Sequence, residues 1–246
     1  MSGGGRAWRR AAAAVMLLWF ADSATAQDAP LRLPPQRDRR QAQTVFSTSR
    51  RFTITGFAPG TAVDLARWAD DVAARLAQLA GPQPWPRGDY IEIAAAPEAG
   101  AVTKSQGFAD GRLQQRLWLG VAEDLDQEDA LEALVWLLLN RYVVYAQDQA
   151  GREQGLGAVP DWLAVGMAQN LYHELRQRNV RFGVDRWLRG EQLSLTALDA
   201  REVMPRGRWM EKVDAGLTVN WLLSLGRPWQ PCWERLAHGA GRPPGW

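Results

Sequence analysis

The chain has 246 residues, with 29 Lys and Arg against 27 Asp and Glu, and a single cysteine. One cysteine excludes an intramolecular disulfide, so stability has to come from packing. The slight basic excess is an N-terminal feature. Removing Arg6, Arg9, Arg10 and Asp22 with residues 1–26 leaves 26 basic and 26 acidic residues, a balance that gives no support for nucleic-acid binding, which needs a concentrated basic face.

Those first residues follow an export pattern. Arginines precede the apolar run Ala11 to Phe20, and Ala24-Thr25-Ala26 offers a small-x-small cleavage site. The run is far shorter than the roughly 20 residues that span a bilayer. Residues 1–26 are therefore expected to be a cleaved signal peptide, and the mature chain to be secreted or periplasmic with no membrane attachment. Residues 27–43, rich in Pro, Arg and Gln, read as a flexible leader. Residues 44–246 read as one domain, with a sheet-containing part over 44–125 and a helical part over 126–246.

Within the first part, Val45 to Phe57 reads as a strand carrying Phe52 and Ile54 and ending near Gly56. A helix follows, with Thr61 as its N-cap and apolar positions from Val63 to Leu79, stopped by Gly81-Pro82. Tyr90 to Ala95 and Arg112 to Gly120 alternate as further strands, and the stretch between them, with Lys104 and Gly107, reads as a loop. The expected class is α+β: a small mixed sheet with a helix in the N-terminal half and a mostly helical C-terminal half.

The central helix is expected to begin at Asp126 as N-cap and to run through ALEALVWLLLNRYVVYA, apolar on almost every side and hence buried. On it Glu132, Trp136 and Asn140 lie four apart and form one stripe. The ordinary role of Glu132 is a first-turn surface carboxylate, and that of Asn140 is a side chain bonded to nearby backbone. After a link over Gly151 to Gly157, a second helix opens at Val159-Pro160-Asp161-Trp162-Leu163 and runs until Asn179 and Gly183. Trp187 and Leu188 start another short helix ending at Gly190, and Leu193 to Asp199 resembles a helix lead-in. Gly216 to Leu225 and Trp229 to Ala237 supply the last amphipathic segments. The run Arg176, Arg178, Arg181, Arg186, Arg189 reads as a solvated face, Cys232 as a small buried apolar residue, and the scattered tryptophans as core.

The order of elements and the segment Pro160-Asp161-Trp162-Leu163-Ala164-Val165-Gly166 resemble the gluzincin metallopeptidases of the peptidase MA-like type. In that family a small mixed sheet leads to a buried zinc helix bearing HExxH, and the second helix opens with proline, a Trp-Leu pair and Glu-Gly, the glutamate being the third ligand. Here the glutamate position is Val165, and the chain's two histidines, His173 and His238, both lie away from the central helix. His173-Glu174 begins like HExxH, but Gln177 stands where the second histidine belongs. The former-site candidates are Glu132, Trp136, Asn140 and Val165, and no catalytic residue, cofactor or metal is expected at them. The resemblance implies an exported non-catalytic protein that scaffolds or binds an unidentified protein or cell-envelope partner. Alternatives are a metal-independent hydrolase using Glu132 and Asp161, and a glycan-binding module using exposed tryptophans, with Trp85, Trp187, Trp209 and Trp229 as the residues to locate.

Overall fold

In a computed structural model, residues 44–83, 85, 89–97, 101–120, 127–149, 159–191, 197–198, 209–226 and 228–238 are described. The expected signal peptide and leader, the Asp126 cap, the Gly151 to Gly157 link and all but two residues of Leu193 to Asp199 lie outside them. The described residues form a mixed α+β fold of six helices and one five-stranded sheet.

The strands are β1 (Val45–Phe46), β2 (Phe52–Thr55), β3 (Ile91–Ala95), β4 (Val102–Ala109) and β5 (Arg112–Leu119). Their order is β1-β2-β3-β5-β4, with parallel pairing of β2 to β3 and β3 to β5 and antiparallel pairing at both edges. The single strand expected over Val45 to Phe57 is thus a hairpin. It turns at Arg50, whose φ of 58° is a left-handed conformation, with Ser47 N–H donating to Phe52 O at 2.9 Å. The stretch expected to be a loop around Lys104 is the edge strand β4. Its signal was the Asp110-Gly111 pair, which adopts φ of 51° and 71° and closes a two-residue hairpin into β5.

Helix α1 (Pro59–Ala80) starts two residues before the expected Thr61 cap, at Pro59, where a fixed φ and a missing N–H suit the first turn. It buries Leu65, Ala69, Val72 and Leu76 and ends at Gly81. The central helix α2 (Gln127–Gln149) is buried on nearly every side, as its composition demanded. The second helix is shorter than expected. Tyr172 takes an extended conformation (φ −112°, ψ 139°) and splits the run into α3 (Asp161–Leu171) and α4 (His173–Arg189). Gly183 and Trp187 therefore lie inside α4, and His173 opens it. Then come α5 (Trp209–Ser224), which begins seven residues ahead of the expected segment, and α6 (Gln230–His238).

The helices gather around α2. It packs against α3, α6, α1 and the inner face of β4 and β5, while α5 packs on α3 and α4. Glycines set the α3–α5 distance. A Cβ on Gly166 would overlap Val219 and lie 2.5 Å from Ala215 O, and one on Gly216 would lie 3.1 Å from Gln169 Cβ of α3 and 2.6 Å from Asn179 Nδ2 of α4. Gly183, expected to end a helix, lets α4 meet Val213 and Leu217 of α5 in the same way. At the other end Tyr142 stacks on Trp233 at 5.1 Å and donates to Gly81 O at 2.5 Å, tying α6, α2 and the end of α1.

Candidate functional site

Two facing stripes define the site. On α2 the stripe is Glu128, Glu132, Trp136, Asn140, and on α3 it is Asp161, Val165, Gln169, each residue one turn from the next. Asp161 meets Lys104 of β4 at 3.2 Å, and the same ammonium sits 4.2 Å over the Trp136 ring. At the other end Gln169 Nε2 donates to Glu132 at 3.2 Å and to Glu128 at 3.1 Å. The helices consequently run in opposite directions with these faces together. Val165, one turn from both Asp161 and Gln169, faces α2 between them and is buried.

Trp136 and Asn140 hold one residue between them. The indole Nε1–H of Trp136 donates to Val159 O at 3.1 Å, and Val159 N–H donates to Asn140 Oδ1 at 3.4 Å. Asn140, fully buried, also donates to Trp136 O at 2.8 Å. Both backbone groups of Val159, immediately before Pro160 and the start of α3, are thus satisfied by the two stripe positions. The expectation that Asn140 bonds to nearby backbone is met by Trp136 O, and its link to Val159 reaches across to the next element.

Glu132 departs from expectation. Its side chain is only 12% exposed, where a surface carboxylate was the ordinary reading. It accepts from Lys212 Nζ of α5 at 3.1 Å and from Gln169 Nε2 of α3 at 3.2 Å. Burial pushes its carboxyl up to about 7, against the pull of Lys212. Lys212 also meets Asp129 at 2.8 Å; burial would lower its ammonium, but Glu132 and Asp129 outweigh that and raise it. Lys104 is shifted the other way, because burial lowers it and Asp161 and Glu132 only partly compensate. Glu128 pairs with Arg178 of α4 at 2.5 Å. Burial would raise its carboxyl, yet hydrogen bonds from Arg178 and Gln169 hold it below the ordinary range.

The arginine run is therefore not one solvated face. Arg178 joins this network, and Arg186 meets buried Asp214 at 3.0 Å, while Arg181 is exposed and Arg189 pairs with Asp185 at the surface. Gln169 was missed because it sits in an apolar helical stretch where periodicity marks core, and Lys212 because the expected segment began only at Gly216. Only the oddity of a Lys between Glu211 and Val213 hinted at buried pairing.

The decoy His173 opens α4 and contacts Arg176 Nη2 at 3.4 Å. His238 ends α6, on a different part of α2's surroundings. No group of three or more His, Cys, Asp or Glu among the described residues is placed to hold a metal ion. Cys232 is half-buried, and burial pushes its thiol up. Of the tryptophans set aside for a glycan surface, Trp85 and Trp229 pack against the core, whereas Trp209 is 45% exposed beside Phe182. The Trp187 side chain lies outside the described residues.

What the stripe can do follows from its atoms. Indole, carboxamide and isopropyl groups at Trp136, Asn140 and Val165 provide no ligand set for zinc, which takes His, Cys or carboxylate donors. They bind backbone and fill space instead. Among the described residues no helix is long and apolar enough to cross a membrane. Compared with protein-family models, with curated proteins and with solved structures, the chain matches none.

Proposed function

We propose that the chain is an exported, non-catalytic relative of the gluzincin peptidases, whose former zinc helices now serve as a rigid scaffold for a protein or cell-envelope partner. The observation that carries this reading is the grip of Trp136 and Asn140 on Val159. Two positions four apart on a buried helix are where HExxH histidines project, and here they fasten the chain that leads into the Pro-Asp-Trp-Leu helix. Val165, in place of the family's glutamate, lies on the facing stripe. A pair of helices that lost metal ligands would retain its geometry by this kind of substitution, polar coordination giving way to packing and backbone hydrogen bonds. The N-terminal pattern of residues 1–26 supports export, and the charge balance of the remainder speaks against nucleic acid.

The test is metal analysis of purified protein together with peptide hydrolysis before and after chelation. The reading requires no zinc-dependent turnover. One zinc per chain, removed by a chelator together with activity, would overturn it.

A second reading, hydrolysis by a carboxylate pair, is favoured by one observation. Glu132 and Asp161 are both shielded, and both act on Lys104, with Glu132 pushed up to about 7 as a general acid requires. Turnover of a cell-wall glycan that Glu132→Gln and Asp161→Asn each abolish would establish it.

A further inference from the structure

Two guanidiniums lie over the Trp85 ring. Arg141 Cζ is 4.1 Å from the ring centre and Arg51 Cζ 5.2 Å, so the two cations stand no more than about 9 Å apart. The backbone brings them together. Arg51 immediately precedes β2 and its carbonyl accepts from Ile91 N–H at 2.9 Å, while Tyr90 immediately precedes β3 and its carbonyl accepts from Arg141 Nη2 of α2 at 3.2 Å. Trp85 is held there by its indole N–H, which donates to Asp89 O at 2.7 Å, and by an edge contact with Phe52 at 5.8 Å.

The charges at this end of the sheet are unequal. Arg141, whose side chain is 2% exposed, meets Asp89 at 3.4 Å. Arg51, half-buried, pairs with no carboxylate among the described residues, and Asp70 of α1, near the β1–β2 turn, is taken up by the backbone N–H and hydroxyl of Ser49. Burial lowers the Arg141 guanidinium to about 10; Asp89 opposes that shift and Arg51 adds to it. Two cations against one carboxylate leave one positive charge in a shielded place, which is costly until an anion meets it. Unmet donors accompany the charge. Arg141 Nε is buried without a hydrogen-bond partner, and so is the Nε2 of Gln83, two residues before Trp85. Tyr90, whose carbonyl Arg141 holds, is 50% exposed, so the position borders solvent.

We propose that Arg51, Arg141 and Gln83 around Trp85 form a binding site for a carboxylate, the bound group bridging the two guanidiniums. A carboxylate accepts on both oxygens, and charge-assisted bonds of roughly 2.8 Å on either side let it span a gap of this size. The class follows from the charge. A monoanion cancels the one surplus cation, whereas a phosphate dianion would overshoot it and leave a shielded negative charge in its place. The site does not depend on the peptidase ancestry proposed above.

NMR of the full chain, following the arginine Nε–H and tryptophan Nε1–H signals, tests it. Sodium acetate is titrated at an ionic strength held constant with sodium chloride. The Arg51, Arg141 and Trp85 signals should shift together and saturate, and Arg51→Met should weaken the binding by roughly tenfold or more. Arg51 has no ion pair to lose, so that variant should remain folded. A parallel titration with N-acetyl-glycyl-glycine separates the sources of the group: tighter binding than acetate assigns the site to a peptide end, equal binding to a small organic acid. The wild type alone can refute the proposal, if its three signals ignore acetate or if inorganic phosphate at pH 8 binds more tightly than acetate does. Acetate shifts that Arg51→Met leaves unchanged would also overturn it.

Discussion

The clamp on Val159 can be taken apart one bond at a time. Trp136→Phe removes the indole N–H that satisfies Val159 O, and Asn140→Ala removes the acceptor for Val159 N–H. Val159 is buried, so each loss strands a backbone group away from water. Stranding such a group costs roughly 1–3 kcal/mol. The 3.4 Å bond to Asn140 places its own contribution at the low end, but Asn140→Ala also empties a fully buried site and frees Trp136 O, which brings the expected loss to about 2 kcal/mol. Trp136→Phe keeps an aromatic ring under Lys104 and should lose about 1–2 kcal/mol. Because both side chains hold the same residue, releasing it once makes the second bond worth less. The double variant should fall short of the sum of the single losses by roughly 0.5–1 kcal/mol. Urea unfolding of the four proteins measures all three quantities. Strictly additive losses, or single losses below about 0.5 kcal/mol, would mean that Trp136 and Asn140 are packing residues with no joint grip on the start of α3.

Other consequences are simpler. Gly166→Ala drives a methyl into Ala215 O and Val219, and a backbone oxygen cannot step aside, so a loss of about 3 kcal/mol or failure to fold is expected; a melting temperature within a degree or two of wild type would contradict the close α3–α5 crossing. Arg178→Met removes the partner that holds the Glu128 carboxyl low. A depressed carboxyl stabilises above its ordinary 4.5 and loses that contribution as acid protonates it, so the variant's deficit should be greatest above pH 5 and should shrink towards pH 3; a deficit that grows in acid would reverse the assignment.

The chain's organisation was legible where periodicity is strong. The apolar run of α2 announced a buried helix, α1 stopped where Gly81-Pro82 said it would, and β3 and β5 followed their alternation. Shorter-range signals were misread. Arg50 at the β1–β2 turn gave no Gly or Pro to mark it, and Asp110-Gly111 marked a hairpin that the polar, small residues of β4 disguised as loop. The break at Tyr172 has no Gly or Pro to mark it, and both α3 and α4 pack on α5 either side of it. At the site, the stripe Glu132, Trp136, Asn140 came directly from four-residue spacing. Its partners did not, because the pairing of Lys212 with Asp129 and Glu132, or of Lys104 with Asp161, joins residues far apart in sequence. For the same reason Glu132 could not be told from a surface glutamate: its partners Gln169 of α3 and Lys212 of α5 are distant in sequence.

If α2 and α3 descend from a zinc-holding pair, putting the ligands back should recreate the metal site. The variant Trp136→His, Asn140→His, Val165→Glu places two histidines four apart on α2 and a carboxylate on the facing stripe of α3. Zinc titration followed by calorimetry and thermal unfolding, with the wild type alongside, is the most direct measurement. The account predicts one zinc per folded variant and a melting temperature that climbs with zinc, while the wild type is unmoved. A folded variant that ignores zinc, or a wild type that already holds one removable zinc, would contradict it.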